Sequence, residues 1–329
     1  MKLGRVSETI MQRSILKYLP VGDSGRIIAP SPYETCAGVD LEASEDVVFS
    51  DVSLYGEEEQ LGVFAIDQAL NEVLIKGAIP VGVNIGIMMP RETEEVFLRA
   101  MAEQMSRSCG RWKASVLGIQ AEVSPVLSQT VIRVTAVGAV KKDRLMQKPD
   151  KSVSRDIVLT KWIGAEGTLR ILRKEQKALS ERFVPAFLQG VESWQEMLPA
   201  GEEIEIARCS GVTTMRQVTD GGIFAALWYL AAETGTGLEV RMDAIPIRQE
   251  TVEICEYFRI NPYQLTSAGC LLMLVEDGGA LTEKMSANGI SASVLGRTAA
   301  GNDKVILRGE ERRFLDRPAQ DQLLKLYNE

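Results

Sequence analysis

The sequence contains no histidine, and this absence excludes whole classes of chemistry. Ser-His-Asp and Cys-His nucleophilic machinery, imidazole acid–base work and His-ligated zinc all fall away. What remains is carboxylates, Lys and Arg, hydroxyls, thiols and backbone groups, a set suited to hard cations and phosphate. Cysteine is sparse as well. Cys36, Cys109, Cys209, Cys255 and Cys270 are scattered, odd in number and without a C-x-x-C pair. Neither a disulfide framework nor a zinc site is expected from them, and most read as small buried hydrophobes. No apolar run approaches the ~18 residues of a spanning helix. The opening MKLGRVSETIMQRSILKYLP lacks the apolar core and cleavage site of a signal peptide. Its Ile10, Ile15, Leu16 and Leu19 are spaced as a short amphipathic helix. No membrane is expected, and the expected compartment is the cytoplasm. Basic charge is in deficit, 37 Lys and Arg against 45 Asp and Glu for a net −8. That balance argues against a nucleic-acid partner.

The 329 residues, 45% hydrophobic and 25% charged, suit an α/β (α+β) chain of two domains, each with its own core. In the first half, EDVVFSDVSLYG reads as a strand. GVFAIDQALNEVLIKGAIP places Val63, Ile66, Leu70 and Val73 at helical spacing, punctuated by Gly77 and Pro80. VGVNIGIMM is a strand and ETEEVFLRAMAEQMSRSC a second amphipathic helix. ASVLGIQAEVS and TVIRVTAVGAV are further strands. The β-α-β-α-β-β order predicts a sheet covered by helices on one face. KKDRLMQKPDKSVSRD, charged and aperiodic, is the expected linker between domains at 1–150 and 151–329.

The most distinctive stretch of the second half is GVTTMRQVTDGGIFAALWYLAAETGTG, a hydroxyl-rich turning segment feeding a helix that is apolar nearly all round. Two readings stand. Asp220 caps a buried core helix while Gly221 and Gly222 permit tight packing, or the turn and helix start present N–H groups to an anion. IVLTKWIGAEGT is a strand entering a Gly-bounded turn. GLEVRMDAIPI reads as a strand, RQETVEICEYFRINP as a helix, CLLMLVE as a strand containing Cys270, and DQLLKLYNE as a helix-like tail.

In this order the motifs resemble the PurM-like ATP-binding superfamily, which includes aminoimidazole ribonucleotide synthetase, thiamine-monophosphate kinase, selenophosphate synthetase and HypE. They look closest to its HypE-like, AIR synthase-related branch. The resemblance runs from LGRVSETIMQRSILKYL to SVLGRT and is most specific in VLTKWIGAEGT and in the TDGG stretch. It implies a two-domain fold and a homodimer in which the N-terminal sheets of two copies form a barrel-like interface. ATP and Mg²⁺ are expected in a groove beside it. The implied chemistry is γ-phosphoryl transfer to an oxygen of a small molecule.

Carried over residue by residue, the resemblance gives a thin metal set. Glu34 survives in YETCA while the second acid has become Thr35. Asp51 is kept in VFSDVS. Asn71 and Glu72 stand for the helical Asn-Asp pair. Gln120 takes a ligand position, with Ile119 in place of a glycine and Ala121 in place of a hydroxyl. Asp51, Glu72 and Glu34 are thus the candidate Mg²⁺ ligands. Glu34, Asp51, Asn71, Gln120, Lys161, Asp220, Gly221 and Gly222 are the candidate nucleotide-binding residues; no catalytic residue is assigned. Lys161 either reaches phosphate or is a solvated charge, and the same alternatives hold for Arg5. Arg216-Gln217 replaces the branch's His-Asp pair, so Arg216 could pair with phosphate but not shuttle a proton. The tail carries no thiol, so carbamoyl-to-nitrile dehydration on a terminal cysteine is not expected in its usual form. Two functions are carried forward: an ATP-dependent phosphoryl-transfer enzyme, or a dimeric relative that has lost catalysis.

Overall fold

The computed structural model describes residues 1–19, 27–28, 38–144, 154–212 and 214–327. The chain divides into two compact units, Met1–Leu145 and Met146–Glu329.

In the first unit β1 (Gly4–Arg5) leads into α1 (Glu8–Met11) and a π-helical turn at Gln12–Leu16. A short antiparallel pair, β2 (Ile27–Ile28) and β3 (Gly38–Val39), follows. Then come β4 (Glu45–Gly56), α2 (Leu61–Ile75), β5 (Ile79–Met89), α3 (Glu95–Trp112), β6 (Ser115–Val123) and β7 (Thr130–Lys141). Five strands form one sheet in the order β1-β6-β5-β7-β4. Only β5 and β6 run parallel, joined by the crossover helix α3. Alternation sets the two faces. Val52, Leu54, Val83, Ile85, Ile132 and Val134 are buried beneath the helices. Val47, Phe49, Asp51, Ser53 and Tyr55 of β4 form part of the other face. Helix α2 approaches the sheet closely at Gly138, where a Cβ would stand 2.4 Å from Val73 Cγ1 and 2.9 Å from Ile79 O.

The second unit contains β8 (Asp156–Thr160), α4 (Ala165–Lys174), α5 (Gln176–Arg182), α6 (Pro185–Glu192), α7 (Gly201–Arg208), β9 (Thr214–Gln217), α8 (Gly222–Thr234) and β10 (Gly237–Arg241). These are followed by α9 (Gln249–Tyr257), β11 (Leu271–Val275), α10 (Gly278–Ala287), β12 (Ala292–Ala299), β13 (Lys304–Arg308) and β14 (Glu311–Phe314). Its seven-stranded sheet has the order β14-β13-β10-β12-β8-β11-β9. Every residue of β11 is buried, as a continuous apolar run with cover on both faces requires. The apolar helix α8 is explained by packing. Ile223, Leu227, Leu230 and Ala231 lie in one buried cluster with Leu238, Leu272 and Leu295.

Two local expectations are corrected. The segment ahead of the TDGG turn is not irregular but edge strand β9, because Met215 supplies an apolar side chain to the core while the backbone pairs with β11. Cys270 precedes β11 rather than lying in it, its N–H turned back to Ser267 O at 2.9 Å. The helix-like tail is a 3₁₀ segment, Gln322–Tyr327, in agreement with the expectation. Among the described residues no helix is long and apolar enough to cross a membrane.

The contact at Gly138 gives a stability test. Gly138→Ala drives a methyl into Val73 and the Ile79 carbonyl, and is expected to cost about 1–3 kcal/mol in denaturant unfolding.

Candidate functional site

The TDGG turn starts where β9 ends. Val218 N–H donates to Cys270 O at 2.9 Å, and Val218 O accepts from Ser267 N–H at 3.0 Å. The chain then reverses through Gly221 (φ 79°) and Gly222 (φ 64°), conformations that glycine reaches without a Cβ penalty. At Gly222 a Cβ would also stand 2.6 Å from Tyr263 O and 2.7 Å from Leu265 N, so packing alone requires this glycine. Helix α8 points its N–H groups and positive dipole end at the turn. A carboxyl group is already there. Gly221 N–H donates to Asp321 Oδ2 at 2.9 Å, and Leu323 N–H donates to Asp321 Oδ1 at 2.9 Å. The expected cap, Asp220, makes no capping bond at this helix start and is exposed. A carboxyl group from the C-terminal segment takes that role instead.

Asp321 sits in acidic company. Burial pushes its carboxyl up to about 7, helped by the charges of Glu166 and Asp220 and opposed by the two backbone donors. Glu166, on α4, is buried. Its Oε2 accepts from Thr266 Oγ1 at 2.6 Å and its Oε1 lies 3.5 Å from Arg170. Burial raises its pKa as well, against the pull of Arg170.

Lys161 neither reaches outward nor is solvated. It adopts a left-handed φ of 59°, is 6% exposed, and donates from Nζ to Gly269 O at 2.9 Å. The same Nζ lies 2.6 Å from Glu203 Oε1, whose side chain is 5% exposed. Removing one partner of such a buried pair costs about 3–5 kcal/mol, so Lys161 is fixed as a structural ion. Arg216 is held over the Tyr229 ring and 3.3 Å from Glu233. Burial pushes the thiols of Cys109, Cys255 and Cys270 up to about 12, which removes them as nucleophiles at neutral pH.

In the first unit the strand register decides which candidates meet. Gly118, Asn84, Thr135 and Asp51 lie in one row across β6, β5, β7 and β4. Gln120, Gly86, Arg133 and Ser53 form the next. Asp51 and Gln120 share the open face but stand three strand spacings apart, about 14 Å, too far to ligate one ion. Asp51 is engaged by its neighbours: Arg133 Nε donates to its two oxygens at 2.9 and 3.0 Å and Thr135 Oγ1 at 2.8 Å. The Arg133 hydrogen bonds hold its carboxyl below the usual carboxylate range. Asn71 and Glu72 lie on α2, which covers the opposite face, with Asn71 buried. Ile119 is buried among the core residues rather than set on the open face. Arg5 pairs with Glu122 at the β1 edge and is exposed. Glu34 lies outside the described residues. Among those residues no group of three or more acids or cysteines could hold a metal ion, so the described donors by themselves do not form a magnesium shell. Arg133 and Thr135 were missed in the sequence, although alternation in TVIRVTAVGAV puts both on one face.

The fold and this TDGG turn define a two-domain chain of the AIR synthase-related class. The N-terminal AIR synthase-related domain profile matches residues 33–140 and the C-terminal one residues 157–308. The chain therefore belongs to the AIR synthase-related family. A Methanocaldococcus jannaschii protein named for hydrogenase expression and formation is 21% identical over 97% of this chain and 95% of its own. The crystal structure of Escherichia coli HypE, a hydrogenase maturation protein, superposes with a TM-score of 0.75 at 20% identity, covering 96% of this chain and 97% of that one. A structure of the maturation protein HypE in complex with ATP gives a TM-score of 0.77 at 15% identity, with 98% and 97% covered.

Docking of the C-terminal segment should depend on pH with a defined sign. A carboxyl raised from 3.8 to about 7 contributes stability that is fully present below its unfolded pKa and is lost as pH rises through about 7. After correction for intrinsic exchange, hydrogen exchange at Leu323 and Gly221 should accelerate across that window. Asp321→Asn should flatten the dependence; an unchanged profile would show that Asp321 does not control docking.

Proposed function

We propose that this chain is an ATP-binding protein that uses γ-phosphoryl transfer to activate an oxygen of a small molecule. The observation that carries the reading is the full-length fold match to HypE, one structure of which holds ATP. A Rhodobacter capsulatus relative named carbamoyl dehydratase HypE matches 73% of this chain at 23% identity. Dehydration of a carbamoyl group fits the same chemistry: its oxygen attacks the γ-phosphorus, ADP departs, and phosphate then leaves as the nitrile forms. The substrate of this chain is named only as an oxygen nucleophile of the amide or carbamoyl type. No step is routed through Mg²⁺, because the described donors do not assemble a site for it.

A second reading has its own support. Asp51 is bound by Arg133 and Thr135, Lys161 by Glu203, and the α8 terminus by Asp321. These contacts favour a relative that keeps the scaffold without transferring phosphate. Calorimetric titration with ATP, with and without Mg²⁺, separates the two. The enzyme reading expects ATP to bind and then to be turned over to ADP and phosphate. Binding without turnover supports the non-catalytic reading, and no heat under any condition removes ATP from both.

Both readings use a homodimer formed through the open sheet face. Phe49 (70% exposed), Val47 (49%), Tyr55 (41%) and Met88 (38%) stand on that face, an exposed apolar group of the kind that marks interfaces. A second copy is the occupant proposed. Phe49→Glu should convert the dimer to a monomer in sedimentation or light scattering; a wild-type monomer would exclude this arrangement.

A further inference from the structure

A cavity of about 290 Å³ lies between the β13–β14 hairpin, the start of α8 and the segment that follows β14. Strand alternation determines its chemistry. Ile306 and Arg308 are two residues apart on β13, and Arg313 of β14 is the cross-strand partner of Ile306, so all three side chains leave the hairpin on the same face. That face meets Phe224 of α8, whose ring is stacked on Tyr263 at 5.3 Å between centroids and 10° between planes. Ile306 and Met242 complete an apolar floor.

The rim is cationic. Arg308, Arg313 and Arg317 line it, with Asp316 as the acid among the lining residues. Arg313 is bonded to Glu311, two residues back on its own strand, at 2.8 Å, whereas Arg308 and Arg317 have no ion-pair partner among the described residues. In a chain of net charge −8, a concave surface bearing surplus guanidinium groups is a local reversal of sign that focuses anions. The α8 terminus cannot supply the anion site here, because Gly221 N–H is given to Asp321. The polar residues Asn261 and Gln264 are bonded to each other at 3.1 Å, which leaves the arginines as the cationic contacts on the rim.

We propose that this cavity binds a small amphipathic oxyanion, its planar apolar body against Phe224 and its phosphate or carboxylate head held by Arg308, Arg313 and Arg317. Guanidinium groups match both head groups through paired N–H donors, and the volume is near the lower end of small-molecule pockets, about 300–1,000 Å³. The site is separate from the ATP reading and does not depend on it.

Calorimetry on the full chain tests the proposal with four probes: phenyl phosphate, benzoate, inorganic phosphate and benzyl alcohol. At least one of the ringed anions should bind about ten-fold more tightly than either half-molecule, since ring and charge are held together. Whichever of phenyl phosphate and benzoate binds better identifies the head group. The double variant Arg308→Gln/Arg317→Gln should weaken that binding about ten-fold with its melting temperature unchanged, while Arg182→Gln, on α5, should leave it as in the wild type. Absence of binding by both ringed anions, or binding that survives the double variant, would overturn the site.

Discussion

A charge drawn against a protein surface must find a partner or titrate away, and in this chain the partners are internal. Asp51 stands on the open face of the first sheet, where Arg133 and Thr135 close on it from the neighbouring strand. The arrangement is set by register. Asp51 is opposite Thr135 and diagonal to Arg133, so a guanidinium fork from β7 reaches both carboxylate oxygens. The same constraint acts in the second unit, where Lys161 and Glu203 neutralise each other in the core and Asp321 lies at the start of α8. Each of these groups keeps a charge or dipole that could serve phosphate chemistry, and each has a protein group as its present partner.

This pattern narrows the functional choice. Membership of the AIR synthase-related family rests on both domain profiles, and the fold is that of HypE. Asp51 could hold a cation only if released from Arg133, because a carboxylate saturated by donors has little lone-pair density left for one. The C-terminal segment adds a second competition at Gly221. There an incoming anion would have to displace a carboxyl group whose pKa lies near neutrality. A retained scaffold with such internal competitors is consistent with either a guarded enzyme or a binding relative.

Much of the architecture was legible from periodicity. The 3.6-residue spacing of Val63, Ile66, Leu70 and Val73 matches α2, and the alternation in EDVVFSDVSLYG matches β4. Gly235 ends α8 in a left-handed conformation, the usual place for a glycine. The site was less legible, because pairing across strands depends on register, and one sequence does not reveal which residue of β7 will face Asp51. Lys161 looked available because Glu203 is 42 positions away and on a different helix. Asp220 looked like the cap because it is adjacent to α8, yet the helix start takes its carboxyl from Asp321, 100 residues downstream. Local chemistry was readable in such cases, and long-range occupancy was not.

The pKa of the Asp51 carboxyl, followed by NMR in the wild type and in Arg133→Met, measures the central interaction directly. The account predicts a value below the usual carboxylate range in the wild type, in line with the hydrogen bonds from Arg133 and Thr135, and a rise toward the ordinary value once the guanidinium is gone. An Asp51 that titrates normally in the wild type, or that does not respond to the loss of Arg133, would contradict it.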